Sequence, residues 1–358
     1  MILFIIYLIL IFIINNFLKK LNLLTSYSGS NHQKFANEAV TLSGGIFIFI
    51  PFLFIFFEFN LIFVICTSLL FLLGLLSDTN ILDKPKLRLI LQFIILTYFV
   101  LSLKIEVLPT RIDFIDNNFQ NTYLSYFFTL FCLLILINGS NFIDGLNGLL
   151  LGYLILILFF IIKLDMASYI YIDYLKFNYF IFLLLFLLIL NFLNLLFLGD
   201  SGSYSISFIV GYFLIIIYNK ATFVSPYFII LLLWYPCFEN LFSIIRKNVY
   251  KNDPLKADNK HLHHYLYIFL KSKFKISNLI ANNLTSIIIN LFNLIIFYIG
   301  SKYNTLTYVQ FILIFICITF YLIIYFFFKK KSKFTKNKYS LVNVRFYTFP
   351  QTKTYVFI

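Results

Sequence analysis

The sequence predicts an all-α, polytopic membrane protein with about eleven transmembrane helices. Of the 358 residues, 61% are hydrophobic and only 12% are charged, whereas soluble domains are about half apolar and a quarter charged. The apolar residues stand in long continuous runs, and about 20 of them in a row cross a bilayer as a helix. A β-barrel is excluded because its strands would alternate in short segments.

Eleven apolar segments are expected to form helices. They are residues 2–18, 44–57, 60–76, 87–103, 122–138, 148–162, 177–197, 203–218, 223–245, 279–299 and 306–328. The second, sixth and eighth are short for a full span. The chain has no evident internal repeat and no Pro/Gly/Ser-rich linker. We therefore predict one membrane domain over residues 1–328 and a basic tail over residues 329–358.

The basic residues predict the orientation. The first segment has no basic residue before it, and Lys19 and Lys20 after it, which is the reverse of a cleavable signal peptide. Most of the 28 basic residues fall on connections that are predicted to lie on the same side of the membrane as Lys19 and Lys20. The positive-inside rule then places the N-terminus outside and the C-terminus in the cytoplasm. No polar region is large enough to bind nucleic acid, so the bilayer is the expected partner for the positive charge.

Four short polar patches interrupt the apolar sequence. They are LSD at 76–78, NGSNFIDGLNG at 138–148, FLGDSGS at 197–203 and DNKHLHH at 258–264. Each follows an odd-numbered segment, so all four are predicted to face the cytoplasm. The second and third patches contain no basic residue. Their predicted cytoplasmic location therefore does not follow from their own charge, but from the order of the apolar segments. Ionisable residues at membrane depth mark functional sites, and these patches are therefore expected to form one composite site.

The patches combine carboxylates with phosphate-binding groups. Asp78, Asp144 and Asp200 offer oxygen ligands, which suit Mg²⁺ together with substrate phosphates. His261, His263 and His264 are cationic or hydrogen-bonding groups suited to phosphate.

Each assignment has an alternative. The histidines could instead hold zinc, although they lack the spacing of the zinc proteases and no thiolate is near; the four cysteines all lie in apolar runs. Each aspartate could instead cap a helix. Lys86 and Arg88 are either membrane-interface anchors or substrate contacts. Glu239 is assigned a structural role in an ion pair with Arg246.

Taken together, the motifs resemble those of the polyprenyl-phosphate N-acetylhexosamine-1-phosphate transferases. This family includes the phospho-MurNAc-pentapeptide translocase and the enzymes that start O-antigen synthesis. The resemblance runs from about residue 42 to residue 286. Its motifs are GLLSD at 74–78 with PKLR at 85–88, NGSNFIDGLNG at 138–148, FLGDSGS at 197–203 and HLHH at 261–264.

The resemblance implies a reaction and a location. A UDP-N-acetyl-sugar would give its sugar 1-phosphate to undecaprenyl phosphate, and UMP would leave, at the cytoplasmic face of the bacterial inner membrane. This step would begin the synthesis of a cell-surface glycan, such as cell-wall or lipopolysaccharide polymers. The sequence specifies neither the sugar nor the oligomeric state, and a homodimer is one possibility.

The resemblance also implies roles for individual residues. Asp200 would bind Mg²⁺ (or Mn²⁺), and Asp144 would share this metal site. Asp78, Asp144, Asp200, His263 and His264 would form the catalytic set. The substrate-binding set would be Lys86, Arg88, Asn138, Asn141, Phe197 and His261, with Phe197 stacking near the uracil.

Two positions depart from the family pattern, and two other functions stay open. Ser77 stands where the family usually has the first of two aspartates, and Asn147 replaces the last acid of the second motif. A serine can hydrogen-bond a phosphate but carries no charge, so a degenerate, non-catalytic homologue is an alternative. A secondary transporter or flippase is less favoured, because it predicts repeats and broken helices at mid-membrane.

Overall fold

The computed structural model is almost entirely helical, as predicted. It describes residues 2–26, 40–107, 109–118, 121–170, 172–251, 253 and 260–339. The helices are α1 (Ile2–Lys20), α2 (Gly44–Phe56), α3 (Leu61–Asp78), α4 (Pro85–Leu103), α5 (Asp113–Asn118), α6 (Thr122–Ile143), α7 (Leu149–Lys163), α8 (Tyr174–Phe192), α9 (Gly199–Lys220), α10 (Pro226–Val249), α11 (Leu262–Phe274), α12 (Asn278–Lys302) and α13 (Thr307–Tyr339). A short 3-10 helix covers Met166–Ile170, and two strands, β1 (Thr25–Ser26) and β2 (Val40–Thr41), pair antiparallel.

Each of the eleven apolar segments is a helix. Within the described ranges, nine helices are long and apolar enough to cross a membrane, and α2 and α7 are shorter apolar helices. The short α5 and the helix α11, which carries the histidines, are additional. Residues 340–358 of the predicted basic tail lie outside the described residues. The orientation of the bundle stays a prediction.

The helix boundaries at three of the polar patches differ from the expectation. The polar patches were placed in connections, but residues 138–143 are the last turns of α6 and residues 199–203 the first turn of α9. In the same way, α3 continues to Asp78. Hydropathy ends a segment at the first polar residues, whereas a helix continues wherever its polar side chains find partners inside the protein. The patches therefore lie on helix ends.

Helix α9 is the centre of the bundle. Every residue from Gly199 to Ile215 is buried, and the helix packs against α2, α3 and α6. The approach of α3 is very close, because a Cβ at Gly74 would clash with the backbone of Ser201. Small residues at such contacts let membrane helices approach backbone to backbone. This packing places the first turn of α9 against the last turn of α3.

Local sequence signals fix the helix ends. Side-chain oxygens of Asn60, Asn121, Asp173, Ser225 and Ser277 accept hydrogen bonds from the first turns of α3, α6, α8, α10 and α12, the usual N-cap arrangement.

Inside α10, Pro236 has no N–H to donate to Leu232 O. The Tyr153 hydroxyl of α7 donates to that carbonyl instead, at 2.8 Å.

Candidate active site at one end of the helix bundle

Asp78 holds the N-terminus of α9. Its Oδ1 accepts a hydrogen bond from the backbone N–H of Asp200 at 2.7 Å, and its Oδ2 accepts one from Ser201 at 3.0 Å. A carboxylate at this position satisfies two open donors and complements the helix dipole. Gly199 has a φ of 72°, and a Cβ there would meet the Asp78 carboxylate. In this structure Asp78 holds the first turn of α9 in place, and its predicted catalytic role stays a prediction. Asp78 does cap a helix, as the alternative interpretation held, but it lies at the end of α3 and caps α9.

Asp200 is fully buried under a set of donors. Its Oδ2 accepts hydrogen bonds from Ser77 Oγ at 2.5 Å and from the Tyr204 hydroxyl at 3.5 Å. The Arg88 guanidinium forms an ion pair with the same oxygen at 2.6 Å and also contacts Ser77 Oγ. Arg88 thus reaches into the site from the first turns of α4 and is not a membrane anchor. Ser77, the departure from the family pattern, lies directly on Asp200.

Two asparagines of α6 connect the site to its neighbours. Asn141 donates to the Tyr204 hydroxyl at 3.4 Å and accepts from Ser203 Oγ at 3.3 Å. Asn138 donates to Gln92 Oε1 of α4 at 2.9 Å. These bonds tie α6 to α4 and α9, so each predicted substrate-binding asparagine already has a structural partner.

Asp144 is the partly exposed carboxylate of the site, directly after the last residue of α6. Loss of hydration raises the pKa of this carboxyl well above its usual range, and the charges of Asp200 and then Asp78 raise the pKa further. Asp144 thus lies within electrostatic range of Asp200 and Asp78, and a single composite site formed by all three stays a prediction.

The carboxylates fit a divalent cation that also binds substrate. Among the residues the structure describes, no group of three or more His, Cys, Asp or Glu side chains is placed to hold a metal. The zinc alternative for the histidines therefore has no support. Mg²⁺ needs only one or two carboxylates when substrate phosphates and water complete its shell. Asp144 and Asp200 supply that number.

The three histidines form a compact cluster at the start of α11. The rings of His261 and His263 are nearly parallel, at 8°, with centroids 5.4 Å apart, and the rings of His263 and His264 are 4.4 Å apart. A Cβ built on Gly145 would lie 3.5 Å from His264 Nε2 and 3.6 Å from His263 Nε2. Both nitrogens thus meet the loop beside Asp144.

The surroundings of His263 favour the neutral form of its ring. Burial lowers the pKa of its ring well below the usual range, and His264 and His261 lower the pKa further. The side chain is fully buried, and neither of its ring nitrogens has a hydrogen-bond partner among the described residues. A buried imidazole in this state offers one N–H donor and one acceptor nitrogen.

Glu239 does not pair with Arg246, contrary to the expectation. Its Oε1 contacts His261 Nδ1 at 2.8 Å, and its Oε2 accepts from the Tyr321 hydroxyl at 2.7 Å. Arg246 instead donates to the backbone carbonyl of Lys260 and to the Tyr325 hydroxyl. Seven residues of one helix separate Glu239 from Arg246, a distance too long for a direct contact along the helix face.

Two predicted substrate contacts are not part of the interactions described above. The ring of Phe197 is 2% exposed and packs with Val40 and Leu42, so this structure gives no support to the predicted uracil contact, which stays a prediction. Its backbone pairs with Thr41 and Gly44 and fixes the segment before α9. Lys86 is exposed on the first turn of α4.

A network of asparagines that the sequence did not predict lies behind the site. The Asn147 backbone N–H donates to Asn282 Oδ1 at 2.8 Å, and its side chain donates to Asn194 and Asn283. The next N–H, of Gly148, donates to Asn191 Oδ1. These bonds hold the turn after Asp144 against α8 and α12. The unusual number of asparagines at the ends of apolar segments was the available signal.

Buried cations also escaped the sequence analysis. Arg246 and Lys247, at the end of α10, are 6% and 5% exposed, although the basic residues of this region were expected to face lipid headgroups. Lys247 Nζ lies 5.8 Å from the Phe142 ring centroid, and Phe142 lies against His261. Part of the following connection, residues 252 and 254–259, is outside the described residues.

Comparisons with known proteins agree with these features. The profile of glycosyl transferase family 4 matches residues 60–218, which include Ser77, Arg88, Asp144 and Asp200 but not the histidines. A probable undecaprenyl-phosphate N-acetylglucosaminyl 1-phosphate transferase of Bacillus subtilis is 26% identical over 206 residues, 56% of each chain. An undecaprenyl-phosphate alpha-N-acetylglucosaminyl 1-phosphate transferase of Thermotoga maritima is 28% identical over 232 residues, 65% of this chain and 69% of its own. The match thus spans little more than half the length of the first relative.

Proposed function

We propose that this protein transfers a sugar 1-phosphate from a UDP-N-acetyl-sugar to undecaprenyl phosphate, because the glycosyl transferase family 4 profile matches residues 60–218 and both relatives are named as transferases of this kind. The observation that carries the proposal is the convergence of Arg88, Asp144, Asp200 and the histidine cluster at one end of an otherwise apolar bundle. An active site at the end of a membrane helix bundle suits a substrate that combines a long lipid with a charged head.

In the proposed reaction, an oxygen of the lipid phosphate attacks the β-phosphorus of the UDP-sugar. A bond forms between that oxygen and the β-phosphorus, and the bond from the β-phosphorus to the bridging oxygen breaks. UMP leaves with that oxygen. The nucleophile is a phosphate monoester with a second pKa of about 6, so it needs no strong base at neutral pH.

The protein then has to position the phosphates and neutralise their charge, which is how phosphoryl transfer is catalysed. Arg88 keeps one buried nitrogen, Nε, with no hydrogen-bond partner among the described residues. His263 contributes the unpartnered ring described above. We assign these groups, with His264, to the diphosphate, and Asp78 to holding the α9 turn that carries Asp200.

Asp144 and Asp200 would hold Mg²⁺ (or Mn²⁺). When bound, the ion would neutralise charge on the diphosphate and strengthen the leaving group. Asp144 is partly exposed and would therefore meet the substrate. Asp200 is buried, and its side chain is held in place by Ser77 and Arg88.

The names of the relatives make UDP-N-acetylglucosamine the first donor to test. With the orientation predicted above, the site lies on the cytoplasmic side of the bacterial inner membrane. Transfer there would begin the synthesis of a surface glycan.

A non-catalytic homologue is the second candidate, and one contact favours it. Arg88 and Ser77 bind the same Asp200 oxygen and would have to share it with a metal.

One experiment separates the two candidates. The purified protein is incubated with undecaprenyl phosphate, Mg²⁺ and a panel of UDP-N-acetyl-sugars, and UMP and the lipid product are measured. The transferase proposal expects both products with at least one donor and neither with Asp200→Asn. The absence of product with every donor would favour the non-catalytic candidate.

A further inference from the structure

Glu239 is a buried acid that the proposed reaction does not use. It lies in α10, three residues after Pro236, and its side chain is fully buried. An ionised carboxylate at membrane depth is costly unless its oxygens are paired. Both oxygens are paired here, with His261 Nδ1 at 2.8 Å and with the Tyr321 hydroxyl at 2.7 Å.

His261 connects this acid to the histidine cluster. It is the residue before α11 and is 4% exposed. Its ring lies parallel to that of His263, and on another side it contacts Phe142 of α6 at a centroid distance of 5.4 Å. A rotation of His261 would therefore disturb His263, whose Nε2 meets the loop beside Asp144.

We propose that Glu239 is a positioning residue that fixes His261 in one tautomer and one orientation for phosphate binding. In the proposed arrangement Oε1 of Glu239 is the hydrogen-bond acceptor and Nδ1 of His261 is the donor. Nε2 is then the ring nitrogen left for the substrate. Carboxylates behind functional histidines act this way in metal sites, where their loss typically lowers affinity or activity about 10–100-fold.

This inference rests on the proposed transferase function for its kinetic consequence, but not for its structural one. The structural test needs no substrate. The chain has four histidines, so NMR of protein labelled with ¹⁵N-histidine in detergent micelles gives a spectrum simple enough to assign by single replacements. The wild type is expected to show His261 as the Nδ1–H tautomer.

Glu239→Gln is the test variant, because its amide can either accept from Nδ1 or donate to it. The variant should show a mixture of His261 tautomers. Tyr321→Phe is the matched control, since it removes the other hydrogen bond of Glu239 and keeps the carboxylate; the His261 signals should keep the Nδ1–H form. An Nε2–H tautomer in the wild type, or the same His261 signals in Glu239→Gln and wild type, would overturn the proposal.

A double-mutant cycle on kcat/KM tests the kinetic consequence. Glu239→Gln is expected to lower kcat/KM for the UDP-sugar about 10–100-fold. In a His261→Gln background it should have almost no further effect, because its action passes through that ring. Independent, multiplying losses would contradict the positioning role. An inactive wild type with the expected tautomer would instead count against the proposed function alone.

Discussion

Replacement of Arg88 by glutamine tests the ion pair at the heart of the site. Arg88 forms an ion pair with the buried carboxylate of Asp200, and the two side chains are 19% and 0% exposed. Two unit charges about 4 Å apart attract by about 4 kcal/mol at an effective dielectric constant of about 20. Removing one partner of a buried pair costs about 3–5 kcal/mol. Since Arg88 is partly solvated, we expect the lower end, about 3 kcal/mol.

The assay is thermal unfolding in detergent micelles, followed by the fluorescence of the single tryptophan, Trp234. Arg88→Gln should unfold several degrees below the wild type, and Mg²⁺ should raise the midpoint of the variant more than that of the wild type, because a bound cation replaces the lost charge. Lys84→Gln is the control, with the same charge change at an exposed residue next to α4. Equal midpoints for Arg88→Gln and Lys84→Gln would refute the reasoning.

Three further predictions use the same unfolding assay. Gly199→Ala should destabilise the protein by more than about 2 kcal/mol, because the position has a φ of 72° and abuts Asp78; a wild-type midpoint would contradict this. Asn147→Ala should cost about 0.5–1.5 kcal/mol by removing the donor to the partly buried side-chain oxygens of Asn194 and Asn283, and an unchanged midpoint would count against the network. His263 has a lowered pKa in the folded state. As the pH falls, the unfolded chain therefore takes up a proton at this histidine at a higher pH than the folded protein does, and the stability of the wild type should fall below a pH of about 6.5. His263→Gln should reduce this loss, and a pH profile parallel to the wild type would contradict the assignment.

The sequence predicts the membrane helices well because each of them contains a long run of apolar residues. Each apolar segment became a helix, and nine within the described ranges are long enough to cross a membrane. It also predicts which residues come together, since Asp78, Asp144, Asp200 and the histidines lie at the same end of the bundle. The roles of Asp144, Asp200 and the histidines stay predictions.

What the sequence could not predict depends on contacts between distant residues. Asp78 caps a helix 122 residues away, and Glu239 binds Tyr321, 82 residues away. No local pattern specifies such partners. The burial of the Phe197 ring could not be predicted for a related reason, because Val40 and Leu42, which pack against it, are distant in sequence.

The central claim is that the lipid phosphate attacks the β-phosphorus of the nucleotide sugar in this site. Its most direct test uses UDP-N-acetylglucosamine labelled with ³²P at the β-phosphate, incubated with the protein, Mg²⁺ and undecaprenyl phosphate. We predict that the label moves to the lipid fraction while unlabelled UMP appears in equal amount, and that Asp200→Asn prevents both. Label that stays in UDP while the sugar alone reaches the lipid, or a wild-type rate with Asp200→Asn, would contradict the account.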